Sequence, residues 1–163
     1  MRILITGTPG TGKTSLAEEL GKELKCKAIN EKTFAINQKI GKWDEESDEL
    51  LIPPEQMARA LNKYLKKEKN IIIEGHVLCE IKLDVDLVIL LKIDPEILEN
   101  RLESRNYGPE KVQDNVFCEG IEYCKKHVHR NYSKGKIIEI NTQKNIKETK
   151  MYILEILRKG IEL

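Results

Sequence analysis

The segment that most limits what this chain can fold into lies at its start. Residues 3–20 read ILITGTPGTGKTSLAEEL, and Gly7 to Thr14 within them fit the phosphate-loop pattern G-x-x-x-x-G-K-[ST]. An aliphatic run precedes the motif and an amphipathic stretch follows it, which is the strand–loop–helix setting the pattern requires. Gly10 and Gly12 let backbone N–H groups curl around phosphate oxygens without side-chain obstruction. The helix start adds a dipole favourable to an anion. Lys13 is placed to reach the β- and γ-phosphates, the Thr14 hydroxyl to ligate Mg²⁺, and Ser15 to donate near the α-phosphate. The reading is an ATP or GTP site with Mg²⁺ as cofactor.

Five β-type runs are legible: RILIT (2–6), KAIN (27–30), NIIIEG (70–75), DLVILLK (86–92) and KIIEI (136–140). Three are almost continuously aliphatic, as expected of parallel strands covered on both faces. Helical stretches alternate with them. Residues 14–24 carry Leu16, Ala17, Leu20 and Leu24 on one stripe, and 54–66 open at Pro54 and repeat Met57, Ala60, Leu61 and Leu65. Asp94-Pro95 reads as an N-cap and first turn of a helix running to about Arg105. A further helix starts near Pro109 with Val112, Val116, Ile121 and Cys124. The last, 145–159, turns Ile146, Met151, Ile153, Leu154 and Leu157 inward and stops at Gly160. Alternating strands and helices predict an α/β P-loop fold, a five-stranded parallel sheet with helices on both faces.

At 163 residues the length suits one domain, taken as 1–163. A charged fraction of 34% and a net charge of +1 suit a globular, cytoplasmic protein and give no pull toward membrane or nucleic acid. The basic residues are too evenly mixed with acids to form a stripe, so direct nucleic-acid binding is not indicated. No apolar run nears the roughly 20 residues of a membrane span. Cys26, Cys79, Cys118 and Cys124 form no C-x-x-C pair, and in an intracellular setting disulfides are not expected. Cys118, Cys124, His127 and His129 cluster in sequence, but their spacing matches no common zinc pattern and they are read as packing or surface residues.

Missing motifs narrow the class. A guanine-reading N-K-x-D is absent, since Asn62-Lys63-Tyr64-Leu65 lacks the aspartate, and no ABC-type signature occurs. A compact kinase-like group remains. Glu74 ends a buried strand at the edge where open α/β sheets bind ligands, positioned to hold a Mg²⁺-bound water or polarise an attacking one; His76 could assist proton transfer. Arg101 and Arg105 lie four apart on one helix face before a turn of hinge character, Asn106-Tyr107-Gly108-Pro109. A guanidinium delivered there by a lid would neutralise charge on a transferred phosphoryl group, with Arg105 the better placed; pairing with Glu96, Glu99 or Glu103 is the alternative.

Together GTPGTGKTS, IIIEGH, DLVILLKIDPEILENRLESRNY, KVQDNVFCE and IIEINT resemble the adenylate kinase isoenzyme 6 family, archaeal members included, over nearly the whole chain. The pattern R-x-x-x-R-x-Y, followed by Lys111, Asn115 and Glu119, is its most telling part. The resemblance implies a nucleoside monophosphate kinase core with a short lid, and MgATP held by Gly10, Gly12, Lys13, Thr14, Ser15 and Arg105. It implies an ATP-hydrolytic acid-x-His element at Glu74 and His76, an acceptor-nucleotide region near 30–51, and a lid near 104–114. It further implies ATPase action in small-subunit ribosome maturation, with a ribosomal protein as partner.

One departure bears on the acceptor. Adenylate kinases usually hold the acceptor phosphate with arginines, yet residues 31–51 contain none, leaving Lys39, Lys42 or Arg59 to substitute. Lysine supplies charge without a bidentate fork. Trp43 and the acidic run 44–49 could instead face a basic partner. The leading expectation is phosphoryl transfer from MgATP to AMP, with residues 141–144 framing the adenine. The alternative is a slow ATPase acting through a ribosomal protein.

Overall fold

The computed structural model describes residues 1–142 and 145–159. Five strands form one all-parallel sheet: β1 (Arg2–Gly7), β2 (Lys27–Asn30), β5 (Ile71–Glu74), β6 (Leu87–Lys92) and β7 (Ile137–Asn141), in the order β2-β5-β1-β6-β7. The expected strands are all present, each within a residue or so of its expected limits. β5 and β6 are buried almost throughout because helices cover both faces, and each such Ile or Leu contributes roughly 1.5–3 kcal/mol.

One face packs Leu4, Ile71, Ile73, Val88 and Leu90 against α3 (Pro54–Leu65) and α6 (Tyr123–Asn131). The other packs Ile3, Ile5, Ile72, Leu87 and Ile89 against α1 (Lys13–Glu23) and α7 (Ile146–Arg158). On α7, Ile153 is buried and Leu154 and Leu157 pack partly, but Met151 is exposed rather than inward. The expected stop of that helix at Gly160 lies outside the described residues.

Two elements were not legible. Residues 31–51 hold α2 (Glu31–Asn37) and a small antiparallel hairpin, β3 (Lys42–Asp44) with β4 (Glu49–Leu51). Asn30 caps α2 by accepting from the Thr33 N–H at 3.1 Å. The expected single helix from Pro109 is two. α5 (Pro109–Gly120) stops at Ile121, and Glu122 sits in the left-handed region at φ 54° before α6 begins. The chain thus turns at 121–122, and Ile121 is exposed while Cys124 is buried. α4 (Pro95–Glu103) keeps its expected cap, the Asp94 carboxylate accepting from the Glu96 N–H at 2.9 Å. No helix among the described residues is long and apolar enough to cross a membrane.

Candidate functional site

The loop joining β1 to α1 sits at the carboxyl ends of the central strands. Gly7, Gly10 and Gly12 all have positive φ, the conformation glycine adopts without strain. Gly10 has a second reason: a Cβ there would lie 2.7 Å from Leu98 and 2.9 Å from Leu102. These leucines, with Ile93 and Val112, form a small core that seats α4 and α5 directly over the loop. Glu119 ties the two together, its carboxylate accepting from the Ile93 N–H at 3.0 Å and from the Thr8 hydroxyl. Glu119 was read only as part of a pattern, and its role spans 111 residues of sequence.

Lys13 is buried and donates to the carbonyls of Gly7 and Thr8, both at 3.0 Å. Burial holds its pKa down, while Glu31 and Glu74 oppose that shift. An anion entering the loop would compete with these carbonyls for the ammonium. Thr14 and Ser15, the next two residues, face solvent. The Thr14 hydroxyl donates to Glu74 Oε1 at 2.9 Å, and the Asn30 side-chain amide donates to the same oxygen at 2.6 Å. This triple contact follows from register, since Glu74 lies beside Ile5 of β1 on one side and Asn30 of β2 on the other. A hydroxyl and a carboxylate oxygen 2.9 Å apart match one edge of an octahedron with bonds of about 2.1 Å, so Thr14 and Glu74 fit a Mg²⁺ site.

A second carboxylate, missed in the sequence, stands beside the first. Glu31 accepts from the backbone N–H groups of His76 at 2.9 Å and Leu78 at 3.3 Å. Burial pushes its pKa to about 7, against the pull of the His76 N–H and of Lys13. The folded protein therefore holds this proton more tightly than the unfolded chain between about pH 4.5 and 7, and stability falls as pH rises through that window. Replacing Glu31 with glutamine should leave the melting temperature near that of the parent at pH 5. At pH 8.5 the variant should melt several degrees higher, about 1–2 kcal/mol more stable. Parallel thermal melts at the two pH values would expose an equal offset at both, which would rule out this titration.

His76 is half-buried, with Nδ1 3.3 Å from the Gly7 carbonyl oxygen. Burial and the nearby Lys13 hold its pKa below the usual histidine value. The arginines separate. Arg101 donates to the Thr142 carbonyl at 2.8 Å and helps line a pocket of about 180 Å³ with Thr11, Gly12, Leu16 and Ile146. Arg105, one turn on, is exposed and is not brought to this pocket. Neither arginine pairs with Glu96, Glu99 or Glu103 among the described residues. Of the segment 141–144, Thr142 lines the pocket and residues 143–144 lie outside the described residues.

The segment expected as a lid, 104–114, holds a turn over 104–108, with Asn106 at φ 58°, and the first half of α5. The Lys111 ammonium meets Glu49 of β4 at 2.5 Å, joining the start of α5 to the hairpin. Lys39, Lys42 and Arg59 are all exposed. A cleft between the hairpin and α5 gathers Glu46, Glu49, Glu110 and Asp114 with Lys111 as the cation among its lining residues.

Comparison with known proteins agrees with this architecture. A family model described as an AAA domain matches residues 3–122. A protein of Methanocaldococcus jannaschii named "Putative adenylate kinase" is 38% identical over 148 residues, 87% of this chain and 77% of its own. One of the same name from Pyrococcus furiosus is 34% identical over 166 residues, covering 99% and 87%. Among solved structures, shikimate kinase from Bacteroides thetaiotaomicron superposes with a TM-score of 0.66 at 16% identity, covering 97% of this chain and 98% of that one. Deoxyadenosine kinase from M. mycoides, solved with bound dATP, gives 0.61 at 18% identity, covering 97% and 100%. At these identities the two structures speak to the fold alone.

Proposed function

Because the chain belongs to the AAA-domain family and to that of these archaeal relatives, P-loop kinases by fold, we propose that it moves the γ-phosphoryl group of MgATP to AMP, yielding two ADP. The observation that carries this reading is the contact of Thr14, Glu74 and Asn30. It links the phosphate loop to the first residue of the segment that would receive the acceptor.

In this reading the phosphates lie in the loop, with the N–H groups of residues 10–15 and Lys13 around them. The base enters the pocket beside Arg101 and Thr142, and Arg101 supports the triphosphate from that side. Thr14 and Glu74 hold Mg²⁺, which when bound would offset charge on the β- and γ-phosphates. Arg105 approaches as α4 and α5 close, adding positive charge to the transferred group. Glu74 and His76 stand where a water would attack if the acceptor site were empty, so residual ATP hydrolysis is expected.

A second reading is slow ATP hydrolysis that governs a basic partner, such as a small-subunit ribosomal protein. The acidic cleft of Glu46, Glu49, Glu110 and Asp114 favours it, since an acceptor phosphate would meet repulsion there while a basic segment would not. ADP formation from MgATP, measured with and without AMP, separates the two. Transfer to AMP predicts at least a tenfold rise in turnover and two ADP per AMP consumed. A slow rate indifferent to AMP would end the kinase reading and leave hydrolysis.

A further inference from the structure

His76, Cys79 and Cys124 form a cluster beside the phosphate loop, of which the proposed chemistry uses only His76, and only for hydrolysis. His76 precedes and Cys79 lies within a single 3₁₀ turn (Val77–Glu80), whose Cys79 N–H bonds the His76 carbonyl at 3.2 Å. In a 3₁₀ turn residues three apart eclipse, so the histidine ring and the thiol leave the same side. Cys124, in the first turn of α6, packs against that side. Its sulfur lies 3.4 Å from His76 Nδ1, and the three potential donor atoms all fall within 4.8 Å of one another. The other two histidines of the sequence cluster go elsewhere: His127 rests against the Tyr123 ring and His129 meets Glu139 at 2.6 Å.

We propose that His76 Nδ1, Cys79 Sγ and Cys124 Sγ form a zinc(II) site under the phosphate loop. The donor set and spacing both suit that ion. Thiolate and imidazole are zinc's preferred ligands, and His76-x-x-Cys79 has the two-residue spacer common in zinc ligand pairs. With bonds of about 2.3 Å to sulfur and about 2.1 Å to nitrogen, a tetrahedral site needs an S···N edge of roughly 3.6 Å and an S···S edge of roughly 3.8 Å. The Cys124–His76 separation is already there, and the widest pair must close by about 1 Å. The charge balance fits as well. Zinc with two thiolates and a neutral imidazole carries no net charge, which keeps the cost of burial beside Leu78 and Val128 low.

A water would complete the tetrahedron and leave that charge balance unchanged. Half-buried Cys118 and His76 mark the route from solvent. Binding forms two Zn–S bonds and one Zn–N bond and releases the two thiol protons to water; no electron moves. The inference does not depend on which acceptor the phosphoryl group reaches.

Cobalt(II) reports such a site directly. The full-length reduced protein, stripped with chelator and titrated with Co²⁺, should show thiolate-to-cobalt charge transfer and strong tetrahedral absorption saturating at one ion per chain. One equivalent of Zn²⁺ should abolish it. Cys79→Ala and Cys124→Ala should each weaken Co²⁺ binding more than tenfold, while Cys26→Ala, in the opposite core, should not. Weak octahedral absorption in the parent, or full signal in both alanine variants, overturns the site. If either variant fails to fold by circular dichroism, X-ray absorption of the zinc-loaded parent decides. Two sulfur scatterers at about 2.3 Å uphold the proposal, and only nitrogen or oxygen neighbours refute it.

Discussion

Lys13→Ala should lower ATP turnover by about 10²- to 10³-fold, a loss of roughly 3–4 kcal/mol of transition-state stabilisation. The protein should remain folded. The ammonium is buried at a desolvation cost, so its removal relieves one unfavourable term while it forfeits two hydrogen bonds to Gly7 and Thr8. Thr8's carbonyl keeps its bonds from the Thr11 hydroxyl at 2.8 Å and the Thr11 N–H at 3.3 Å. The melting temperature should therefore stay within a few degrees of the parent. Steady-state ADP formation and a thermal melt on one preparation make the test. Unchanged turnover would remove the phosphate loop from the chemistry, and a collapsed melt would make Lys13 a structural residue.

Gly75→Ala should do the reverse and damage fold and site together. A Cβ at residue 75 would lie 2.0 Å from the Glu31 Oε2, 2.2 Å from its Cδ and 2.6 Å from its Cβ. The last distance decides the size of the effect. A side-chain tip could swing away, but a Cβ can move only with the backbone, so α2 must shift at its first residue. Glu31 then loses the N–H groups of His76 and Leu78, and its neighbour Asn30 draws away from Glu74. Overpacking and the lost bonds should together cost about 2–4 kcal/mol, lowering the melting temperature by about 5–15 °C. Turnover should fall at least tenfold. Gly135→Ala is the control, since nothing stands within 4 Å of a Cβ there. A Gly75→Ala protein that melts within 2 °C of the parent would show that Glu31 is not locked as described.

The sheet was legible because its signal is local. Aliphatic runs such as IIIE and LVILLK have no other use for so many branched side chains than a layer covered on both sides. The phosphate loop was legible for the same reason, its eight residues being contiguous. α2 was not, because seven residues burying only Phe34 and Ala35 carry too little periodicity to separate from a loop. The break at Ile121–Glu122 was hidden because a glutamate, not a glycine or asparagine, occupies the left-handed position.

The site divides along the same line. Glu74 could be read from its place at a strand end. Glu31, 43 residues earlier, has its partners supplied by the turn that follows β5, and no pattern within a window of 20 residues contains both. The arginines show a different limit. Spacing put Arg101 and Arg105 on one helix face, but which of them turns toward the loop depends on how α4 rolls over Gly10. The same holds for His76, Cys79 and Cys124, which the fold brings together although Cys124 lies 45 residues beyond Cys79, whereas the sequence cluster of Cys118, Cys124, His127 and His129 reads as packing or surface residues.

The match to the AAA-domain model stops at residue 122, whereas Thr142, Asn145, Ile146 and Thr149 form much of one wall of the pocket beside Gly12. On the proposed reading, the phosphates would lie against residues that the family match covers and the base partly against residues beyond it. A chain ending at residue 122 would keep the phosphate loop but lack four of the nine residues that line this pocket, together with β7 and α7. Discrimination among bases would, on that reading, rest in part on side chains beyond residue 122.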